Sequence, residues 1–378
     1  MSDEAVQTVQ ACGRVLAMSV HSALELPPFD KSAVDGYAIA GPADQGDYQV
    51  IGTVVAGQAP AMAPLGPGQA MRVMTGAPVP SGTVEVVMQE DTTLEGSTVT
   101  VHRHRERNVC SRDEDMRVSD LVLPAGHRLR PLDIANLLAC GVTDVRARRL
   151  PRVALITTGN ELCDDPARLR PGQIIDSNGP LLVQLSSMHG LDVVFKTHVA
   201  DDLDQTRDAL EQALEAADLV IMSGGVSVGD LDVVPNACSA LGLAIVVHGL
   251  SVKPGRPVLI ALSGHRPVFG LPGNPVAAYL MFHLLVLRAV AHLTASPVPI
   301  RVFSLPLASA LARKKAERME FFPSRLNENG QVTLLEYHGS AHLHALVRAD
   351  GFAAVPQDVR EVAAGQRVAF WSFGSLDP

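Results

Sequence analysis

The sequence predicts an α/β multidomain protein: a central α/β domain with a mostly parallel sheet, preceded and followed by β-rich segments. Three observations predict it. Short apolar runs alternate with amphipathic helical stretches between residues 152 and 296. Short strands separated by Gly and Pro turns dominate on either side of that region. A length of 378 residues suits two to three domains at about 150 residues each.

Composition narrows the function. Hydrophobic residues are 47% and charged residues 19% of the chain, which is folded rather than disordered material. Aromatics are only 4%, so the core must be built from aliphatic side chains. With 31 basic and 40 acidic residues the net charge is -9, which argues against nucleic acid or an anionic membrane as partner. A local anion site stays open. Five cysteines without a CxxC pair suit a reducing compartment. The acidic start Ser2-Asp3-Glu4 is unlike a secretory leader. The longest apolar run, 276–287, is shorter than the ~20 residues that span a bilayer. A cytoplasmic location is expected.

In chain order, 49–55, 70–75, 85–90 and 98–105 read as strands, and 131–140 as a short helix ended by Gly141. The run 153–157, closed by Gly159, reads as a buried strand. A helix over 180–189 and a strand over 191–196 follow. Leu203, Thr206, Leu210, Ala213 and Ala217 recur at helical spacing. Residues 219–223 form a third strand ending in Gly224-Gly225. Next come a helix over 233–241, strands near Ile245, Val258 and Val268, and a long helix from Pro275. Beyond 296, strands are expected at 300–307, 321–325, 332–337 and 366–373. Ligands in such α/β sheets bind beyond the carboxyl ends of the strands.

Several segments there, and two before them, carry chemistry. The loop from Phe29 to Tyr37 holds Asp30, Ser32, Asp35 and Gly36, either as a capped turn or as an oxygen-rich loop presenting Asp35. Met74-Thr75-Gly76 leaves a strand with an exposed hydroxyl. Arg112 to Asp115 is a solvated charge run by default. Thr157-Thr158-Gly159-Asn160-Glu161 puts a carboxylate at a strand end, suited to a hard cation such as Mg²⁺. Of Asp201 and Asp202, at least one should cap the next helix. Ser223-Gly224-Gly225-Val226-Ser227-Val228-Gly229 can turn its N–H groups toward a phosphate, without being a Walker A or dinucleotide loop. Asp230 and Asp232 behind it suit a metal, and Asp232 equally suits a helix cap. Lys253-Pro254-Gly255-Arg256-Pro257 offers two cations on a stiff turn. Gly270-Leu271-Pro272-Gly273-Asn274-Pro275 opens the long helix, with Asn274 as N-cap and Pro275 at the first helical position.

Taken in order, Phe29-Asp30 through Gly36-Tyr37, Thr75 to Pro80, Thr158 to Glu161, Ser223 to Gly229, Lys253 to Pro257 and Gly270 to Pro275 resemble the motifs of the molybdopterin molybdenumtransferase family, which includes bacterial MoeA and the gephyrin E domain. The resemblance spans nearly the whole chain. It implies a molybdopterin-binding type of α/β domain over 151–296 and an elongated discontinuous domain from 1–25 and 119–150. It further implies a β-rich lid over 26–118 and a small β-barrel-like domain over 297–378. The implied reaction inserts molybdenum from molybdate into adenylylated molybdopterin, releasing AMP and requiring Mg²⁺. A homodimer is implied, with the active site between the α/β domain of one subunit and the lid of the other. Protein partners would be the molybdopterin adenylyltransferase and molybdoenzyme acceptors.

Carried over by position, the resemblance makes Asp35, Thr75, Glu161, Asp201, Asp232 and Lys253 catalytic. Glu161, Asp201 and Asp232 would hold the metal. Ser223, Gly224, Gly225, Ser227, Gly229, Arg256, Pro272, Gly273, Asn274 and Pro275 would hold the pterin substrate. Three positions depart from the pattern: Cys110 stands where an arginine is usual, Asn160 where an aspartate is usual, and Gly249 where a lysine is frequent. The chain also starts late against the usual N-terminal helix. The lost cations motivate a rival reading, a non-catalytic pterin or cofactor carrier.

Overall fold

The computed structural model describes residues 2–41, 46–58, 64–102, 106–226, 233–297, 300–337, 339 and 341–373. The chain divides into two compact units: Glu4–Cys12 with Leu16–Ala147, and Met1–Asp3 with Gly13–Val15 and Arg148–Pro378.

The first unit is built on a six-stranded sheet. Its order is Glu85–Met88, Gly36–Ile39, Gln69–Val73, Gly46–Val54, Thr98–Val101 and Thr92–Glu95. Side chains alternate across it, so Ala38 and Met71 fill one core while Tyr37 and Ile39 fill another. The segment 29–37, expected as a loop, is partly strand: Lys31–Ser32 pairs with Val109–Cys110, and Gly36 opens the second sheet strand. A Cβ at Gly36 would overlap the Val87 carbonyl, so only glycine lets the two strands meet there. The strand expected over 85–90 ends at Met88, where a 3₁₀ turn over Gln89–Asp91 takes over. The unit's α-helix, Pro131–Ala139, has Pro131 at its first position and ends at Gly141, whose φ is +78°.

In the second unit, β1 (Arg152–Thr158) leads through α1 (Asn178–Met188) to β2 (Asp192–Val199). The chain continues through α2 (Leu203–Ala216) to β3 (Leu219–Ser223). Then come α3 (Val233–Ala240), β4 (Ala244–His248), β5 (Leu259–Ser263) and β6 (Arg266–Leu271). The sheet order is β2-β1-β3-β6-β5-β4. The first four strands are parallel, whereas β5 and β4 pair antiparallel, so the sheet is mixed. The cause is local: Gly264-His265 joins β5 to β6 as a tight hairpin, leaving no room for a crossover helix. Both faces are apolar. Val153, Leu155, Leu219 and Ile221 pack with Leu182 and Leu185 of α1. Ala154, Ile156, Val220 and Met222 pack with Leu210, Ala213, Val234 and Ala237 of α2 and α3.

After β6 the long helix runs as α4 (Pro275–Met281), a π-helical turn (Phe282–Val286) and α5 (Leu287–Thr294). It extends past the apolar run seen in sequence. The 20-residue stretch Pro275–Thr294 is long and apolar enough to cross a membrane by length and composition, yet 67% of its most apolar window is buried inside the protein. It is a core helix: Val276, Phe282 and Val286 pack with Phe269 of β6 and with Phe321 and Phe352. Those phenylalanines belong to a second six-stranded sheet, with path Val252–Lys253, Met319–Leu326, Gly351–Val355, Arg367–Ser372 and Arg301–Pro306, and with Val332–Leu334 beside Met319–Leu326. Gly351–Val355 is buried at every position and was not expected. The strand expected over 332–337 is cut to three residues.

Candidate active site

The carboxyl ends of β1, β2, β3 and β6 lie at one edge of the sheet, because these strands are parallel. A cavity of about 680 Å³ opens there. Glu161, Asp201, the Ser223-Gly224-Gly225 run and the turn from Pro272 to Pro275 all line it, as expected from the sequence. A cavity beside β1 and β3 lies where the strand order reverses, the usual ligand position in an open α/β sheet.

The loops at this edge are tied to one another. Asn160 N–H donates to Asp201 Oδ2 (3.1 Å), and Asp201 N–H donates to Asn160 Oδ1 (3.2 Å). The neutral Asn160 therefore fixes the Asp201 loop by two bonds. Asp202 takes the capping role, accepting from Gln205 N–H at 2.9 Å at the start of α2. Gly224, at φ +98°, sits so close to β1 that a Cβ would overlap the Thr158 carbonyl.

Two lining residues escaped sequence reasoning. Asp176 accepts from Thr157 Oγ1 (3.1 Å) and from Gly179 N–H (2.9 Å), bracing β1 against the start of α1. Asn178, 8% exposed, donates through Nδ2 to Ser223 Oγ (2.8 Å) and to Gly273 O (2.7 Å). Three loops are thereby pinned by one amide. The Gly273 carbonyl can only accept, which fixes the amide orientation and leaves Asn178 Oδ1 buried without a partner. The signal was present in sequence, since Asp176-Ser177-Asn178 is a helix-start composition following a strand pair.

Lys253 and Arg256 do not line this cavity. Val252–Lys253 pairs with Met319–Glu320 in the second sheet, and Lys253 Nζ lies 2.5 Å from Glu320 Oε1. Lys253 lines a separate cavity of about 430 Å³ with Arg313, Lys314, Lys315, Arg318 and two glutamates, Glu317 and Glu320. Arg256 lines a third, of about 480 Å³, with His248, Gly249 and Arg318. Gly249 has φ +93°, a backbone that strains any L side chain, so the lysine frequent at this position would not be accommodated without rearrangement. In the first unit, Asp35 Oδ1 accepts from both Thr75 N–H and Thr75 Oγ1–H at 2.7 Å. Those hydrogen bonds, with Arg72 nearby, hold the Asp35 carboxyl below its ordinary range. Ser227, Gly229, Asp230 and Asp232 lie outside the described residues.

Among the described residues no group of three or more His, Cys, Asp or Glu could cage a metal ion. Glu161 and Asp201 nonetheless present carboxylates to one cavity. That donor set suits Mg²⁺, which takes one or two carboxylates and completes its shell with phosphate and water.

The comparisons with known proteins agree with this architecture. Family models match in order: the MoeA N-terminal region (domain I and II) over residues 1–141, a probable molybdopterin binding domain over 154–292, and the MoeA C-terminal region (domain IV) over 305–373. A molybdopterin molybdenumtransferase of Staphylococcus epidermidis is 33% identical over 366 residues, covering 90% of this chain and 86% of that protein. One from Staphylococcus aureus is 35% identical over 294 residues, covering 75% and 70%. The crystal structure of the molybdopterin biosynthesis MoeA protein of Pyrococcus horikoshii superposes with a TM-score of 0.82 at 28% identity, covering 98% of this chain and 95% of that one. On three consecutive domain matches, full-length relatives and a shared fold, the chain belongs to the molybdopterin molybdenumtransferase (MoeA) family.

Proposed function

We propose that the chain is a transferase of molybdenum cofactor biosynthesis that inserts molybdenum from molybdate into adenylylated molybdopterin, releasing AMP. One observation carries the reading: the largest of the three cavities described in the second unit and the one lined by Lys253 are chemically unlike, and the reaction has two unlike substrates. The larger cavity joins glycine-rich loops, whose N–H groups suit phosphate oxygens, to the carboxylates Glu161 and Asp201. The smaller gathers Lys253, Arg313, Lys314, Lys315 and Arg318 against Glu317 and Glu320, and this excess of cations suits a compact oxyanion. The names of the staphylococcal relatives support the same activity.

In this reading the pterin–adenylyl substrate lies along the Ser223-Gly224-Gly225 and Pro272–Pro275 turns, with Ser227 and Gly229 as further binding residues on the family resemblance. Glu161 and Asp201, joined by Asp232, would hold Mg²⁺, which supplies charge neutralisation at the phosphoanhydride when bound. Asn160 keeps the Asp201 loop in place, and Asn178 keeps the phosphate-facing turns together. Lys253 orients the oxyanion, with Arg256 in the adjoining groove. Asp35, kept ionised by Thr75, is a catalytic residue on the family resemblance. Four domains with the boundaries 1–25 with 119–150, 26–118, 151–296 and 297–378 are part of the proposal, as are the β-rich lid and the barrel-like C-terminal domain. So are a homodimer, a cytoplasmic location, and handover from a molybdopterin adenylyltransferase and to molybdoenzyme acceptors.

The test is direct. Purified protein given adenylylated molybdopterin, Mg²⁺ and molybdate should release AMP. Tight pterin binding with no AMP release would overturn the reading in favour of a carrier.

A further inference from the structure

The basic cavity contains two carboxylates, Glu317 and Glu320, and the second is paired with Lys253. Parallel pairing of Val252–Lys253 with Met319–Glu320 sets Lys253 opposite Glu320. Glu320 is buried at 8% exposure, while its partner ammonium is half exposed and faces the cavity. Glu320 also faces the buried guanidinium of Arg313, as a longer ion pair. Arg313 lies 3.7 Å from Glu320 Oε2, but its guanidinium already donates to the carbonyls of Val359, Pro356 and Arg318. Lys314 and Lys315 are exposed and form no ion pair among the described residues.

We propose that Glu320 is an internal counter-anion that weakens oxyanion binding in this cavity, so that Lys253 exchanges between the protein's own carboxylate and an incoming tetrahedral anion. The inference rests on reading the cavity as the oxyanion site. Its logic is that of a transfer enzyme. Five cations opposed only by the exposed Glu317 would retain a dianion, whereas a carboxylate beside Lys253 repels the bound anion and takes the ammonium back when the anion leaves. Repulsion by a fixed carboxylate grows with the charge of the ligand. Glu320 therefore penalises a dianion more than a monoanion of the same shape, and it acts as a positioning residue through Lys253 rather than on the reacting atoms.

The experiment compares binding of molybdate and of perrhenate, a tetrahedral monoanion of similar size, to the full-length protein by equilibrium dialysis at fixed ionic strength. Glu320→Gln should tighten molybdate about tenfold or more, with a smaller gain for perrhenate. Glu320→Asp, which keeps the charge, should stay within about twofold of wild type. Molybdate KM should fall in Glu320→Gln together with kcat, a split that a merely structural role would not produce. Should Glu320→Gln fail to fold, Glu320→Ala removes the same charge with a smaller side chain. It should show the same order of gains, molybdate above perrhenate. Wild-type binding that Glu320→Gln, or Glu320→Ala in its place, leaves unchanged or weakens overturns the proposal alone, as do equal gains for the two anions. Absence of molybdate binding in wild type and variants alike overturns the oxyanion reading with it.

Discussion

Asp35 shows how one residue combines position and charge. It precedes Gly36, the glycine that lets its strand meet Val87, and both Thr75 donors converge on its Oδ1. Asn at 35 can still accept from Thr75 but carries no charge. Asp35→Asn is thus expected to fold like wild type and to lose ~100-fold or more in kcat/KM, a loss typical of removing an electrostatic catalytic group. Unchanged kinetics would remove Asp35 from the reaction. A second residue, His283, reports on stability instead. It lies in the π-helical turn, stacked on Phe373 at 4.4 Å, with Nε2 buried and unpartnered. Burial, opposed by a hydrogen bond to the Tyr279 carbonyl and aided by nearby His189, pushes it down to about 4. A base with a depressed folded-state value favours unfolding when protonated. Its contribution of roughly 3 kcal/mol is full above pH ~6.5 and is lost as pH falls toward 4. His283→Phe should flatten that acid limb in Tm measurements between pH 7 and 4.5. An unchanged slope contradicts the assignment.

At the scale of elements, the site depends on loops that only particular residues allow. Gly224→Ala introduces a Cβ against the Thr158 carbonyl at φ +98° and should cost on the order of 2–4 kcal/mol, with loss of pterin affinity. A variant with wild-type Tm would show that the loop reshapes at no cost. The strands bounding this loop were legible in sequence because they are short apolar runs stopped by glycine, and 219–223 is matched residue for residue. Other elements gave weaker signals. Gly351–Val355 is covered on both faces and has no alternation, with Gly351, Ala353 and Ala354 diluting Phe352 and Val355, so it carried little pattern. Asp144–Arg148 does alternate, with Val145 and Ala147 buried, but its charged positions masked a five-residue strand. The antiparallel β5–β6 hairpin was missed because its turn, Gly264-His265, is shorter than the α/β rhythm around it suggested. Lys253 and Arg256 were found from their motif, yet the cavity that Lys253 lines was not. That cavity is set by pairing with Glu320, more than sixty residues later, which no local spacing reveals.

For the whole molecule, a net charge of -9 coexists with one concentrated cluster of cations. The net charge disfavours polyanions, whereas the cations lining one cavity give a local attraction for a small oxyanion. Quaternary structure belongs to the same scale. Sedimentation equilibrium should give twice the chain mass, and a monomer at micromolar concentration would contradict the proposed dimer. The central claim is tested most directly by the product. Wild-type protein is incubated with adenylylated molybdopterin and Mg²⁺, with and without molybdate, and then mixed with a molybdenum-free acceptor enzyme. The account predicts acceptor activity that requires molybdate and is lost in Asp201→Ala. Acceptor activity that never exceeds the molybdate-free control, from protein that still binds the pterin, would contradict it.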